Sequence, residues 1–97
     1  MSVYPGQYTE YERRHNPIWP ELQEVLKAHG VQNYSIFLDP TDGSLFGYVE
    51  VEEEARWEAI AATPVCRKWW QHMRDLMPTH PDNSPQSVTL QEVFHLN

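Results

Sequence analysis

The chain has 97 residues, the length of one small domain, and a formal net charge of -7 at neutral pH. Its 14 acidic residues outnumber seven Lys and Arg, and this excess repels phosphate backbones and anionic lipid surfaces, so we expect no nucleic-acid partner and no membrane association. The hydrophobic content of 40% is typical of a folded globular protein rather than a disordered one.

The cysteine content and the apolar runs bear on the compartment. Cys66 is the single cysteine and therefore has no intrachain partner for a disulfide. The sequence shows no secretory leader pattern, and no apolar run approaches the roughly 20 residues needed to cross a bilayer. We therefore expect a cytoplasmic protein in which Cys66 is a buried, inert thiol.

The N-terminal third predicts two helical pieces. Residues 1–6 hold at most a stub of strand, and residues 7–15 are good helix formers. Two prolines, beginning with Pro17, lack the amide hydrogen that a continuous helix needs, so a break is expected there. Asn16 is predicted to cap a second helix with Pro17 in its first position, and Gly30 to end it.

The middle of the chain predicts a β-hairpin. Residues 33–39 alternate in polarity, as a strand with one buried face does. Asp42 and Gly43 suit the tight turn that follows, and residues 45–51 predict the returning strand.

The C-terminal half predicts a helix, a loop and a last strand. Residues 52–62 predict a helix, and Thr63 is expected to cap a further helical piece that ends near Met77. Polar turn formers and prolines predict a loop over residues 79–87. Residues 89–96 then predict a closing strand.

The predicted order of helix, strand, strand, helix and strand indicates the fold class. It matches a ferredoxin-like βαββαβ unit whose first strand is short or missing, which is an α+β sandwich with helices on one face of an antiparallel sheet. Residues 1–97 are expected to form this single domain. The other face of the sheet would be open, and dimerisation is the simplest way to cover it.

Three groups of residues are candidates for a site. Tyr11 and His15 lie four residues apart, which places a phenol and an imidazole on the same helix face and favours proton transfer near neutral pH. The alternative is a capping or surface histidine. Trp69 and Trp70 offer flat faces that pack against sugars, although a purely structural pair is equally compatible with the pattern. Tyr34, on the first strand, is either a hydrogen-bonding group of the same site or a tyrosine at the sheet rim.

Other polar residues predict no second site. The five histidines never fall in a paired ligand spacing, so we expect no metal centre. Arg13 and Arg14 lie beside Glu10 and Glu12, an arrangement typical of a solvated helix face.

Four segments together resemble the L-rhamnose mutarotase family and occur in the same order over nearly the whole chain. They are residues 11–22 (YERRHNPIWPEL), 33–39 (NYSIFLD), 66–70 (CRKWW), and 77–94, beginning MPTHPDNSP and ending LQEVF. Family members usually begin with an apolar strand upstream of the position that matches Val3, and only two residues precede Val3 here. The resemblance therefore implies a first strand that is nearly absent.

The resemblance also implies a fold, an activity and a site. It implies a cytoplasmic homodimer of the dimeric α+β barrel type that interconverts the α and β anomers of the sugar L-rhamnose without a cofactor. It makes His15 the proton donor and gives contacts with the sugar to Tyr11, Tyr34, Trp69 and Trp70. Two alternatives use the same scaffold: a non-catalytic sugar-binding or sensing dimer, and a small monooxygenase of the dimeric α+β barrel type.

Overall fold

Four α-helices and a two-stranded antiparallel sheet make up the computed structural model, which describes all 97 residues. The α+β class is confirmed, with the helices packed on one face of the sheet. None of the helices combines the length and the apolar content needed to cross a membrane. In chain order the elements are α1 (Tyr8–Arg14), α2 (Pro20–Ala28), β1 (Val31–Asp39), β2 (Ser44–Val51), α3 (Glu54–Ala59), a 3₁₀ turn (Ile60–Ala62) and α4 (Pro64–Met73).

The hairpin between β1 and β2 forms as its turn residues predict. The side chain of Asp39 accepts a hydrogen bond from the backbone of Thr41, and that of Asp42 accepts one from Ser44, both at 2.9 Å. Gly43 has a φ of 79°, and a Cβ at this position would lie 2.5 Å from the carbonyl oxygen of Val3. Glycine is therefore required here both by backbone angle and by space.

The two faces of the hairpin have different neighbours. The inner face is turned toward the helices, and Leu45 and Ile36 pack in or against the core there. The outer face leaves large aromatic side chains exposed, among them Phe37 and Phe46, which lie directly opposite each other. The inner pairs are Tyr34 with Val49, Ile36 with Gly47 and Leu38 with Leu45; the outer pairs include Phe37 with Phe46 and Ser35 with Tyr48.

The N-terminal residues run beside β2 as a minimal strand. Ser2 forms a single bridge with Ser44, and the amide of Leu45 donates to the carbonyl of Met1 at 2.9 Å. Val3 is buried in the core, and the amide of Tyr4 donates to the carbonyl of Leu76 at 2.8 Å. The prediction of a stub of strand is confirmed, and this stub ties β2 to the chain that follows α4.

The predicted last strand is wrong for the single chain. Residues 89–96 adopt no regular structure and are exposed throughout, with Leu90 67% and Phe94 78% exposed. A strand depends on the hydrogen-bond ladder of a neighbour, and no strand of the same chain pairs with this segment.

Two boundaries also differ from the sequence prediction. Helix α2 begins at Pro20 with Trp19 as its N-cap residue, whereas Asn16 was expected to cap it. The Asn16 side chain instead donates to the carbonyl of Glu12 at 2.9 Å, so it satisfies the end of α1. Helix α4 ends at Met73 rather than near Met77, although its predicted cap is confirmed, because the Thr63 hydroxyl oxygen accepts from the amide of Cys66.

The core lies between α1, α2, α4 and the inner face of the hairpin. Its largest contributions come from α4 and the turn after it, because Trp69, Met73 and Leu76 repeat at helical spacing on the side facing the sheet. The buried cluster consists of Val3, Tyr11, Leu22, Leu45, Trp69, Met73, Leu76 and Met77.

Candidate functional site

A cavity of about 1530 Å³ opens between the helices and the inner face of the hairpin. Side chains from α1, β1 and α4 form its walls. The structure brings all five predicted site residues to this one cavity, although they are spread over 60 positions of the chain: Tyr11, His15, Tyr34, Trp69 and Trp70.

His15 sits at the end of α1, where the last carbonyl groups of the helix have no partner within it. Its ring nitrogen Nδ1 lies 2.8 Å from the carbonyl oxygen of Tyr11. A carbonyl oxygen only accepts hydrogen bonds, so Nδ1 carries the hydrogen and donates it. In the neutral ring, Nε2 is then left with a free lone pair.

His29 makes the same helix-end contact, because its Nδ1 donates to the carbonyl of Val25 at 2.8 Å. His29 does not line the cavity, however. The bond to the carbonyl four residues back is therefore a local feature of both helix ends, and the neighbours of His15 set it apart.

Aromatic rings enclose His15 on two sides. The Tyr11 ring lies 4.5 Å from the imidazole, centroid to centroid, and the Trp69 ring lies 5.1 Å away in an edge-to-face arrangement. Trp19 packs edge to face on Trp69 at the same distance of 5.1 Å, so Trp69 is fixed from both sides. Trp69 is buried and Trp70 half-buried, yet both reach the cavity.

Burial sets the protonation states of the site. It lowers the pKa of His15 below its ordinary value of 6.5, and the bond to the Tyr11 carbonyl opposes this only in part. It raises the pKa of the Tyr11 phenol, and the nearby Tyr34 adds to this rise. Tyr34 is 40% exposed overall, but the surrounding protein still raises its pKa. At neutral pH the site therefore holds an uncharged imidazole and two protonated phenols.

Trp57, which the sequence analysis did not single out, also lines the cavity. Its ring packs edge to face on Tyr34 with the centroids 5.6 Å apart. As the one aromatic residue of α3, it was recognisable as an anchor of that helix, but nothing local indicated its contact with a tyrosine on β1.

Arg14 departs from the predicted solvated helix face. Its side chain is 14% exposed, whereas that of Arg13 is 70% exposed. Its Nη1 donates to the carbonyl of His72 at 2.6 Å and to Asp75 at 2.9 Å, and its Nε donates to Glu10 at 2.8 Å. The solvated-face prediction holds for Arg13 and is wrong for Arg14.

Cys66 is buried, and burial raises the pKa of its thiol to about 11. The thiol is therefore protonated at neutral pH and a poor nucleophile, as the sequence analysis expected. No three His, Cys, Asp or Glu side chains of the chain converge as a group that could hold a metal ion.

Comparison with known proteins gives one consistent result. A family model described as L-rhamnose mutarotase matches residues 1–96. The chain is 66% identical over 97 residues to the L-rhamnose mutarotase of Pectobacterium atrosepticum and 66% identical to that of Opitutus terrae, with 100% of this chain and 93% of each relative covered. A crystal structure of L-rhamnose mutarotase from Formosa agariphila is 40% identical and superposes with a TM-score of 0.91, covering 100% of this chain and 93% of the other.

Proposed function

The chain belongs to the L-rhamnose mutarotase family, and from that membership we propose that it is an isomerase that interconverts the α and β anomers of L-rhamnose. The observation that carries the proposal is the state of His15. Its Nδ1 is engaged by the Tyr11 carbonyl, so Nε2 is the nitrogen available to a sugar in the cavity. A neutral imidazole at this position exchanges protons readily near pH 7.

The reaction needs one proton to move within the sugar. Ring opening takes the proton from the anomeric hydroxyl and returns a proton to the ring oxygen as the bond between that oxygen and the anomeric carbon breaks. We propose that Nε2 of His15 accepts the first proton and then, as imidazolium, donates it to the ring oxygen. This includes the proton-donor role expected from the resemblance and needs no second base.

The open aldehyde then rotates about the bond next to the former anomeric carbon. Rotation presents the opposite carbonyl face to the hydroxyl group, and the same proton transfers in reverse close the ring as the other anomer. Every step moves a proton and none moves a hydride or a single electron, so we propose that no cofactor takes part.

The two tyrosines serve as hydrogen-bond donors in this scheme. Their raised pKa values keep both phenols protonated at neutral pH, which makes them poor bases but stable O–H donors. Tyr11 and Tyr34 would hold the sugar oxygens while His15 transfers the proton, and this orientation is itself a catalytic contribution.

Trp69 and Trp70 would hold the apolar side of the sugar. Indole faces pack against C–H groups, and the half-buried Ile36 on the inner sheet face adds an aliphatic surface to the same cavity. We propose that this apolar wall receives the 6-methyl group, the feature that separates L-rhamnose from L-mannose.

We also propose that the protein is a homodimer. The outer face of the hairpin exposes Phe37, Phe46 and Tyr48, and the C-terminal segment exposes a further row of apolar residues. Exposed aromatic surface of this extent is typical of an interface. The segment 89–96 has the alternation of a strand without a neighbour in its own chain, so it is suited to pair with the sheet of a partner.

Light scattering across a concentration series tests the dimer. Phe46→Glu places a charge in the proposed interface and should give monomers where the unmodified protein is dimeric. Thr41→Glu places the same charge at the exposed tip of the hairpin and should leave the dimer intact. Monomeric unmodified protein would refute the dimer.

For the location, we propose the cytoplasm, on the ground that Cys66 is a free and buried thiol.

For the domain organisation, we propose that residues 1–97 act as one mutarotase-like unit, since core residues from Val3 to Met77 form one buried cluster.

Exchange NMR on L-rhamnose at anomeric equilibrium tests the activity. Saturating the signal of one anomeric proton transfers magnetisation to the other anomer at the interconversion rate, so added protein should raise that transfer. L-mannose is the matched sugar, and its 6-hydroxyl should make it the poorer substrate. Binding of L-rhamnose without faster exchange would refute the enzyme and leave the sugar-binding or sensing alternative.

A further inference from the structure

We propose that Arg14 is a positioning residue that holds the α1 wall of the site against the α4 wall and so sets the place of His15 beside Trp69. An effect of Arg14 on catalysis rests on the proposed function. The positioning itself rests on the hydrogen bonds of the Arg14 guanidinium group.

The Arg14 side chain makes the hydrogen bonds that connect the end of α1 with the end of α4. Arg14 belongs to the last turn of α1, and its Nη1 donates both to the His72 carbonyl, at 2.6 Å, and to Asp75, at 2.9 Å. A second guanidinium nitrogen reaches the other oxygen of Asp75 at 3.3 Å. The planar fork of Arg forms several such bonds at fixed angles, which Lys does not.

The helix ends give this contact its strength. The His72 carbonyl belongs to the last turn of α4, where carbonyl groups lack helical partners and the helix dipole is negative. The positively charged guanidinium donates a hydrogen bond to that carbonyl and also compensates the partial negative charge at the helix end. Helix α1 has seven residues, too few to be stable alone, so its position depends on side-chain contacts of this kind.

His15 and Trp69 of the proposed site lie next to these contacts of Arg14. His15 follows Arg14 directly, and its ring contacts Trp69, which precedes His72 by three residues on α4. A shift of α1 relative to α4 would change the 5.1 Å separation of the two rings and the direction in which Nε2 points. A displacement of about 1 Å in a positioned catalytic group can cost about 10²-fold in rate.

Arg13 provides the internal control. It is a neighbouring arginine that shares Glu10 as a partner, yet it is largely exposed and makes no bond to α4. Loss of Arg13 removes a positive charge and a Glu10 contact but leaves the connection between the helices intact.

The test compares Arg14→Ala, Arg14→Lys and Asp75→Asn with Arg13→Ala, each assayed well below its own melting temperature. We expect Arg14→Ala to lower kcat by about 10- to 100-fold with a much smaller change in KM. Arg14→Lys should recover part of the loss, because its single ammonium reaches one of the acceptors. Asp75→Asn should give a smaller loss of kcat, and Arg13→Ala should retain the kcat of the unmodified protein.

A second readout does not depend on activity. The edge-to-face contact with Trp69 places the His15 ring protons in an aromatic ring current, so their NMR shifts report the ring separation. Those shifts should move toward the values of an exposed histidine in Arg14→Ala and stay in place in Arg13→Ala. If the unmodified protein fails to accelerate mutarotation, the proposed function falls, while this measurement still decides the role of Arg14.

Three results would overturn the positioning role. They are an unchanged kcat in Arg14→Ala, an equal loss of kcat in Arg13→Ala, and His15 ring shifts that stay in place when Arg14 is replaced. If Arg14→Ala does not fold, Arg14→Lys and Asp75→Asn supply both readouts, and unchanged kcat and shifts in both variants would refute the role.

Discussion

Replacing His15 with alanine should separate chemistry from binding. Proton transfer by a positioned side chain contributes about 10²- to 10⁴-fold, which corresponds to about 3 to 5 kcal/mol of transition-state stabilisation. We therefore expect kcat to fall by that factor. KM should change little, because the tryptophan wall and the two phenols remain in place.

The same replacement also has a structural cost. It removes the bond to the Tyr11 carbonyl, worth about 0.5 to 1.5 kcal/mol. It also removes ring packing against Tyr11 and Trp69, worth a further 0.5 to 1.5 kcal/mol or so. The expected loss in the free energy of unfolding is about 1 to 3 kcal/mol, which a domain with a typical stability of about 5 to 15 kcal/mol survives.

His29→Ala is the matched control for this experiment. It removes the same kind of bond, from Nδ1 to a carbonyl four residues back, at the end of α2, and His29 itself does not line the cavity. Exchange NMR across a series of L-rhamnose concentrations gives kcat and KM for both variants, and urea unfolding gives their stabilities. Comparable losses of kcat and sugar affinity in His15→Ala would reassign the residue to binding. An equal slowing by His29→Ala would refute the reasoning entirely.

Three further predictions follow from the same geometry. Burial holds the pKa of His15 below 6.5, and the neutral ring accepts the first proton, so kcat/KM should fall only as the pH drops below 6.5. A midpoint of the pH profile of kcat/KM above 6.5 would contradict this. Trp57→Ala should raise the KM for L-rhamnose by about 2- to 10-fold through loss of the aromatic support of Tyr34, whereas an unchanged KM would show that the contact is incidental. Gly43→Ala should lower the unfolding free energy by about 2 to 4 kcal/mol, since it adds a clash with the Val3 carbonyl to a positive φ. Gly6→Ala, with a φ of 84° and nothing within 4 Å, should cost about 1 to 2 kcal/mol, and equal costs in urea unfolding would argue against the clash.

The elements that could be predicted from the sequence are those whose causes are local. The hairpin follows from strand alternation and from a turn that only glycine at position 43 accommodates. The start of α4 follows from Thr63, whose hydroxyl takes up an orphan amide of the first turn. The cap of α2 was mispredicted because Asn16 had two helix ends within reach, and its side chain satisfies the one before it.

The candidate site was predictable for a related reason. Tyr11 and His15 share a helix face by spacing alone, and that spacing brings their rings to 4.5 Å. Trp57 and Arg14 were missed because their partners, Tyr34 and Asp75, lie far away in sequence. Arg14 shows the limit most clearly, because its neighbours Glu10 and Arg13 gave the pattern of a solvated face, while the decisive acceptors lay in the last turn of α4 and in the turn that follows it.

The C-terminal segment shows how an incorrect local prediction bears on the proposed assembly. Its alternating pattern indicates a strand, but a pattern specifies only which side chains share a face, and the ladder needs a neighbour that this chain does not offer. Residues 87–90 also line the cavity that holds His15. If the segment pairs with the sheet of a partner, as we propose, its movement reshapes one wall of the cavity. Association and catalysis would then be linked, so the charge introduced at Phe46 should weaken L-rhamnose turnover to the extent that it dissociates the dimer.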